Sequence, residues 1–152
     1  MFFCFQGRKG LLSPIPSRGL GDGYYGPARG ACSWGRIDVG IGVGWLKEEF
    51  EAIGVPFEKR GDRADEYMTA MRALWANDDA SFSGRYVSFN GMSCNPKPVN
   101  GRVPFVIGGH SEAAARRAGR LGDGFFPATG AAVAVEPLIE LMRRTAREHG
   151  RD

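Results

Sequence analysis

The sequence has little of what disulfide frameworks and metal sites require. Its 152 residues include three cysteines, Cys4, Cys32 and Cys94, and two histidines, His110 and His149. The cysteines are odd in number and widely spaced, with no histidine or second cysteine at ligand spacing, so neither a disulfide framework nor a metal centre is expected. A cytoplasmic, reducing compartment is the expectation that follows. Long apolar runs are missing too. Met1-Phe2-Phe3-Cys4-Phe5 stops at Gln6 and gives way to Gly7-Arg8-Lys9, where a targeting segment would continue apolar. Nothing approaches the roughly 18 apolar residues of a membrane span, so no membrane partner is expected.

Charge of one sign is also scarce: 20 Lys and Arg stand against 17 acidic residues, a formal net charge of +3. Arg8, Lys9, Arg18 and Arg29 against Asp22 place that excess within residues 1–35. Nucleic-acid binding needs a basic stripe on a folded face, and no nucleic-acid partner is expected. There is no Walker motif, no paired-acid site and no convincing Ser/His/Asp set. The dinucleotide glycine fingerprint is absent as well, because Gly40, Gly42 and Gly44 alternate inside a strand pattern instead of opening a long helix. No catalytic residue can be assigned from the pattern.

Glycine is plentiful, with 23 residues, and its distribution divides the chain. Residues 1–35 hold eight Gly and three Pro with no period that buries a face, so they read as poorly ordered or irregular. Order is expected from Arg36. Ile37, Val39, Ile41 and Val43 alternate with Asp38, Gly40, Gly42 and Gly44, a strand pattern with one nearly bare face; a Gly-rich turn is the plainer alternative. A short helical turn over 45–50 and a helix capped by Asp62 and ending at Asn77 follow, the latter burying Ala64, Tyr67, Met68, Met71, Leu74 and Trp75. Phe82 to Phe89 around Ser83-Gly84 reads as a hairpin, and Asn95-Pro96-Lys97-Pro98 as extended chain. Val103 to Ile107 is a buried-type strand. A helix over about 112–120 is expected to keep Arg116, Arg117 and Arg120 wet, a short strand falls within 122–127, and a last helix spans about 136–148 with Leu138, Leu141, Met142 and Thr145 inward. Such alternation implies an α/β fold with parallel strands and crossover helices.

In parallel sheets ligands collect beyond the carboxyl ends of the strands. The clearest such end is Gly108-Gly109-His110-Ser111. Two glycines bend the chain without obstructing a ligand, Ser111 can cap the next helix or donate its hydroxyl, and the N–H groups of Ser111, Glu112 and Ala113 would face an anion. The anion requires the Glu112 carboxylate to point away; a Gly-Gly turn with a serine cap that binds nothing is the plain alternative. His110 is placed for donation or proton transfer, or is a loop histidine without duty. Asp123, between Gly122 and Gly124, holds a neighbouring backbone turn or reaches a cofactor hydroxyl.

Taken in order, the segments Gly35 to Trp45, Glu48-Glu49-Phe50, Gly54-Val55-Pro56-Phe57, Arg60-Gly61-Asp62-Arg63, Phe82 to Tyr86, Pro96-Lys97-Pro98, Ile107 to Ser111 and Leu121 to Pro127 resemble the bacterial-luciferase-like monooxygenase family. The resemblance is closest to the branch that uses the deazaflavin coenzyme F420 and covers about residues 33–152. It implies a (β/α)8 TIM barrel, of which this chain supplies a partial set, the central and C-terminal units, over residues 36–152. Residues 1–35 are expected to be irregular or a misassigned segment, in an incomplete gene product. The resemblance implies an F420 or FMN cofactor at the carboxyl-end mouth, held by Gly42, Gly44, Trp45, Gly108, Gly109, His110, Ser111, Asp123 and Gly124. The implied activity is hydride transfer or monooxygenation on a small organic substrate; a homo-oligomer is left open. The alternative is a truncated, non-catalytic phosphate-binding or interaction remnant.

Overall fold

The computed structural model describes the backbone of residues 2–7, 10–11 and 15–16, and residues 35–127 and 134–151 in full. The strands are β1 (Phe2–Gly7), β2 (Gly10–Leu11), β3 (Ile15–Pro16), β4 (Ile37–Ile41), β5 (Ala80–Ser83), β6 (Ser88–Met92), β7 (Phe105–Gly108) and β8 (Gly124–Phe126). The helices are α1 (Lys47–Ala52), α2 (Arg60–Ala76), α3 (Glu112–Leu121) and α4 (Val135–Glu148).

The main sheet runs β2-β1-β4-β7-β8, with β3 paired to β1. Strands β4, β7 and β8 are parallel, with Ile41 opposite Ile107 and Ile107 opposite Phe125. Among the described residues this sheet is open, so the architecture is α/β and equals part of a TIM-type barrel. Strand β1 pairs antiparallel with β4, Phe5 opposite Val39. The irregular reading of residues 1–35 does not contain these first three strands. The edge of β4 supplies backbone partners that no periodicity within the segment reveals. Residues 17–34, also within that reading, lie outside the described residues.

Alternation explains β4. Ile37, Val39 and Ile41 are buried and join Phe105 and Ile107 in one apolar cluster with Met68, Met71 and Trp75 of α2 and Ala118 of α3. Trp75 and Phe105 meet at 5.3 Å between ring centroids. Successive strand residues point to opposite faces, so Gly40, Val106, Gly108, Gly124 and Phe126 belong to the other face. The strand stops at Ile41 and does not extend through Val43, because the chain turns at Gly44 with φ +78°.

Helix α2 carries the expected stripe, with Ala64, Met68, Met71 and Trp75 buried. Its start differs from the expected one. Lys59, at φ 54°, occupies the cap position without a side-chain bond, and Asp62 lies in the first turn, where an acid still faces the positive helix end. The hairpin β5–β6 stands off the main sheet with Phe82 opposite Phe89. Glu66 of α2 holds its turn by accepting the backbone N–H groups of Arg85, Tyr86 and Val87 at 3.0, 2.6 and 2.8 Å.

Helices α3 and α4 pack unusually close at Gly119, where an added Cβ would lie 2.6 Å from the Met142 carbonyl oxygen and 2.8 Å from the Thr145 Cβ. Leu138, Leu141 and Thr145 are the buried face of α4. One expectation for α3 is overturned: Arg117 is buried, not wet, and is paired with Asp65 of α2. Arg120 reaches the other oxygen of Asp65 at 2.5 Å. A carboxylate 52 residues earlier in the chain offsets part of the cost of burying a guanidinium.

Candidate functional site at the carboxyl ends of the strands

The end of β7 is shaped by a backbone that only glycine takes without strain. Gly109 adopts φ +146°, and a Cβ there would stand 2.7 Å from the Cβ of Ala114. Its N–H donates to the carbonyl of Phe126 at 3.1 Å, tying the turn to the end of β8. Ser111 then caps α3 with extended backbone, φ −108° and ψ 157°, its Oγ accepting from Ala114 N at 3.3 Å. Because Oγ accepts on the helix side, its own proton is free to point outward.

The Ala115 N–H returns to the Ser111 carbonyl at 3.0 Å. That leaves the first-turn N–H groups of Glu112 and Ala113 without intrahelical acceptors, at the positive end of the helix dipole. The Glu112 carboxylate is exposed and pairs with Arg116 at 3.3 Å, one turn further along the helix, so it lies along the flank. His110 is exposed beside the turn. Backbone donors, a serine hydroxyl and an imidazole are thus grouped at this helix end.

The neighbouring strand end is level with this turn. A Cβ on Gly108 would lie 3.6 Å from the carbonyl oxygen of Ile41, the last residue of β4. Gly42 and Gly44 follow, and Gly44 is pressed against Phe50 so closely that a Cβ would meet its ring at 2.7 Å. Trp45, next in the chain, is 81% exposed. On the other side of β7, Phe126 ends β8 with 64% exposure. Gly42, Gly44 and Trp45 follow the end of β4, and Gly108 to Ser111 follow the adjacent end of β7.

Asp123 does not join them. It precedes β8 and lies at the amino end of the strands, beside Phe105, the first residue of β7. Its carboxylate accepts from Phe105 N at 2.9 Å and pairs with Arg72 at 3.2 Å, Arg151 at 3.4 Å and Arg102. Of the two roles open to it, the geometry realises the holding of a backbone turn. The three residues of β8 separate Asp123 from the strand end at Phe126. Burial pushes the Arg72 guanidinium's pKa down; Asp123 opposes this and Arg151 and Arg102 add to it. Gly124 faces Val106 within the sheet, two positions below Phe126, with room for a Cβ only 3.3 Å from the Val106 side chain.

Sequence reasoning missed Arg60, whose Nε donates to the Gly44 carbonyl at 3.1 Å and whose guanidinium lies 3.8 Å above the Phe57 ring. It also missed Phe126 as an exposed ring at the mouth. Neither has a local signal: the first depends on a residue 16 positions away, and the second on the face that β8 turns outward. Among the described residues no group of three or more His, Cys, Asp or Glu is placed to hold a metal ion, and no helix is long and apolar enough to cross a membrane.

These features coincide with a family. The model of the luciferase-like monooxygenases matches residues 31–152, and the chain belongs to that family. An FMNH2-dependent dimethylsulfone monooxygenase of Pseudomonas putida is 33% identical over 120 residues, covering 76% of this chain and 33% of that protein. Among solved structures, monooxygenase RslO1 from Streptomyces bottropensis superposes with a TM-score of 0.76 at 26% identity, over 90% of this chain and 43% of its own. An F420-dependent secondary alcohol dehydrogenase, solved with an F420-acetone adduct, gives a TM-score of 0.73 at 26% identity, over 86% of this chain and 41% of its own. The chain thus spans between a third and somewhat under half the length of these relatives.

Proposed function

We propose that this chain carries the phosphate-holding part of a cofactor site for FMN or F420, in an oxidoreductase performing hydride transfer or monooxygenation on an organic substrate. The supporting observation is the turn Gly108 to Ser111: a left-handed Gly109 feeds a serine-capped helix end whose free donors face outward while Glu112 is turned aside. Such a donor set fits a phosphate group. When bound, a flavin or deazaflavin supplies the hydride or oxygen chemistry. The residues here bind its tail, with Gly42, Gly44 and Trp45 beside it and His110 as a further donor.

A second reading is a phosphate-binding or interaction remnant without turnover. It is favoured by a sheet that is open among the described residues. Fluorescence titration of the chain with FMN and with riboflavin, which lacks the phosphate, tests the shared core of both readings. An FMN preference of about tenfold or more, the worth of one good charge-assisted bond, is expected. Equal affinity for the two would sink the phosphate grip. Substrate-dependent oxidation of reduced flavin, or reduction of F420, by the same sample whose monodispersity is checked by gel filtration, separates enzyme from remnant.

A further inference from the structure

We propose that Arg60 is a positioning residue for the cofactor's ring end, acting through Trp45. This rests on the reading of the mouth as a flavin or deazaflavin site. Four contacts close into a brace behind the turn after β4. Gly44 is seated on Phe50, Phe50 meets Phe57 edge to face at 5.3 Å, the Arg60 guanidinium carbon lies over Phe57 at 3.8 Å from the ring centroid, and Arg60 Nε returns to the Gly44 carbonyl at 3.1 Å. Phe50 is 5% exposed, so the bottom of the brace is fixed by packing.

The top of the brace is Trp45, which directly follows the braced carbonyl and is 81% exposed. An indole held so far out of the fold has few packing contacts of its own to set its direction. The carbonyl orientation of Gly44 fixes the peptide plane from which Trp45 departs, because that peptide is planar. Gly44 at φ +78° is otherwise free to adopt other backbone wells, so the Arg60 bond and the Phe50 ring select one of them. Arginine suits this duty: a planar guanidinium stacks on a ring and donates in its own plane at once, which lysine does only as a mobile point charge. The selected turn presents the indole at the same sheet end as the phosphate turn, one strand away, where a flat ring extending from a held phosphate can stack on it.

The test uses Arg60→Met, which keeps the apolar stem and removes both the bond and the charge, and Arg60→Lys as the conservative variant. Trp45 is followed by 19F resonance in protein carrying 5-fluorotryptophan, assigned with Trp45→Phe. Arg60→Met is expected to move the Trp45 resonance and to weaken FMN and riboflavin equally, by roughly five- to tenfold, the scale of one charged hydrogen bond. The FMN-to-riboflavin preference stays unchanged, and Arg60→Lys restores part of the loss. A merely structural role would change thermal stability without a Trp45-specific shift. An unmoved resonance, or an Arg60→Met protein that binds both ligands as the parent does, overturns the proposal. If the parent chain binds neither ligand, the cofactor reading fails, and the positioning of Trp45 is then decided by the resonance in the free protein alone. An Arg60→Met protein that does not fold leaves Arg60→Gln, shorter and uncharged, to decide: a shifted Trp45 resonance supports the brace, and a parent-like one overturns it.

Discussion

Asp123 and Phe105 bind each other twice: the Asp123 N–H donates to the Phe105 carbonyl at 2.7 Å, and the Phe105 N–H donates to the Asp123 carboxylate at 2.9 Å. The double bond of contacts locks the start of β8 to the start of β7 at the end of the sheet away from the mouth. Around it stand Arg72, Arg102 and Arg151. Replacing Asp123 by Ala removes the acceptor of a buried strand N–H and leaves three guanidinium groups without their shared carboxylate. The Asp123 side chain is 11% exposed while its partners are 30–58% exposed, so the loss lies below that of a fully buried pair. Destabilisation of about 2–3 kcal/mol is expected, measured by urea unfolding. The affinities of the folded fraction for FMN and for riboflavin should not move; a parallel loss for both would return Asp123 to a cofactor hydroxyl.

Glu66 links stability to pH through the hairpin. Desolvation pushes its carboxyl up, but bonds from the N–H groups of Tyr86, Val87 and Arg85, with the charge of Arg85, outweigh this and hold its pKa below the usual carboxylate value. A depressed folded pKa means that the ionised form stabilises the folded state above the unfolded pKa. That contribution is lost as pH falls through the folded value. Protection of the Arg85, Tyr86 and Val87 amides, taken relative to their intrinsic exchange rates, is therefore expected to fall as pH drops below the usual carboxylate value, before that of the core amides. Glu66→Gln, which keeps one acceptor oxygen, should show the weakened protection already at neutral pH and little further change on acidification. Uniform protection across that range in the parent protein would refute the linkage.

Gly119 sets two effects of opposite sign against each other. Inside a helix, alanine is about 1 kcal/mol better than glycine, and by that measure Gly119→Ala would stabilise α3. The added methyl would sit 2.6 Å from a backbone oxygen of α4 and 3.0 Å from the Ala146 N, and backbone cannot swing aside as a side chain does. Separating two packed helices costs about 1–3 kcal/mol, and more where the obstruction is main chain. The expected result is a net lowering of the thermal midpoint, with Gly119→Val lower still. A raised midpoint for Gly119→Ala would mean that α4 is free to shift.

Much of this fold is legible in the sequence because its signals are local. Ile37, Val39 and Ile41 bury by alternation and Leu138, Leu141 and Thr145 by helical spacing, while Gly109 and Ser111 form the turn and cap that their residue types favour. What escapes is long-range pairing. Helical spacing turns Arg117 toward solvent until Asp65, 52 residues away, is brought beside it. Asp123 looks like part of a strand end until the register shows which end. Arg60 is one arginine among many until the chain returns it to Gly44. In each case the deciding partner is a backbone atom or a charge that the sequence places nowhere near the residue.

The turn that supports the functional reading can be broken with one methyl group. Gly109→Ala must hold φ near +146°, where an alanine is strained, and must also place its Cβ 2.7 Å from that of Ala114. Relaxing either one rotates the peptide between Gly109 and His110 and shifts Ser111 off the cap. Strain of this kind costs about 1–3 kcal/mol, and loss of the serine cap about 1 kcal/mol more, so the protein should remain folded at low temperature but melt earlier. Ser111→Ala separates the two losses, since it removes the cap and the hydroxyl while leaving the glycine backbone alone. If the anion is held chiefly by the helix N–H groups, Gly109→Ala should abolish the preference for FMN over riboflavin and Ser111→Ala should only reduce it. The reverse ranking would place the binding in the hydroxyl and leave the helix end a bystander.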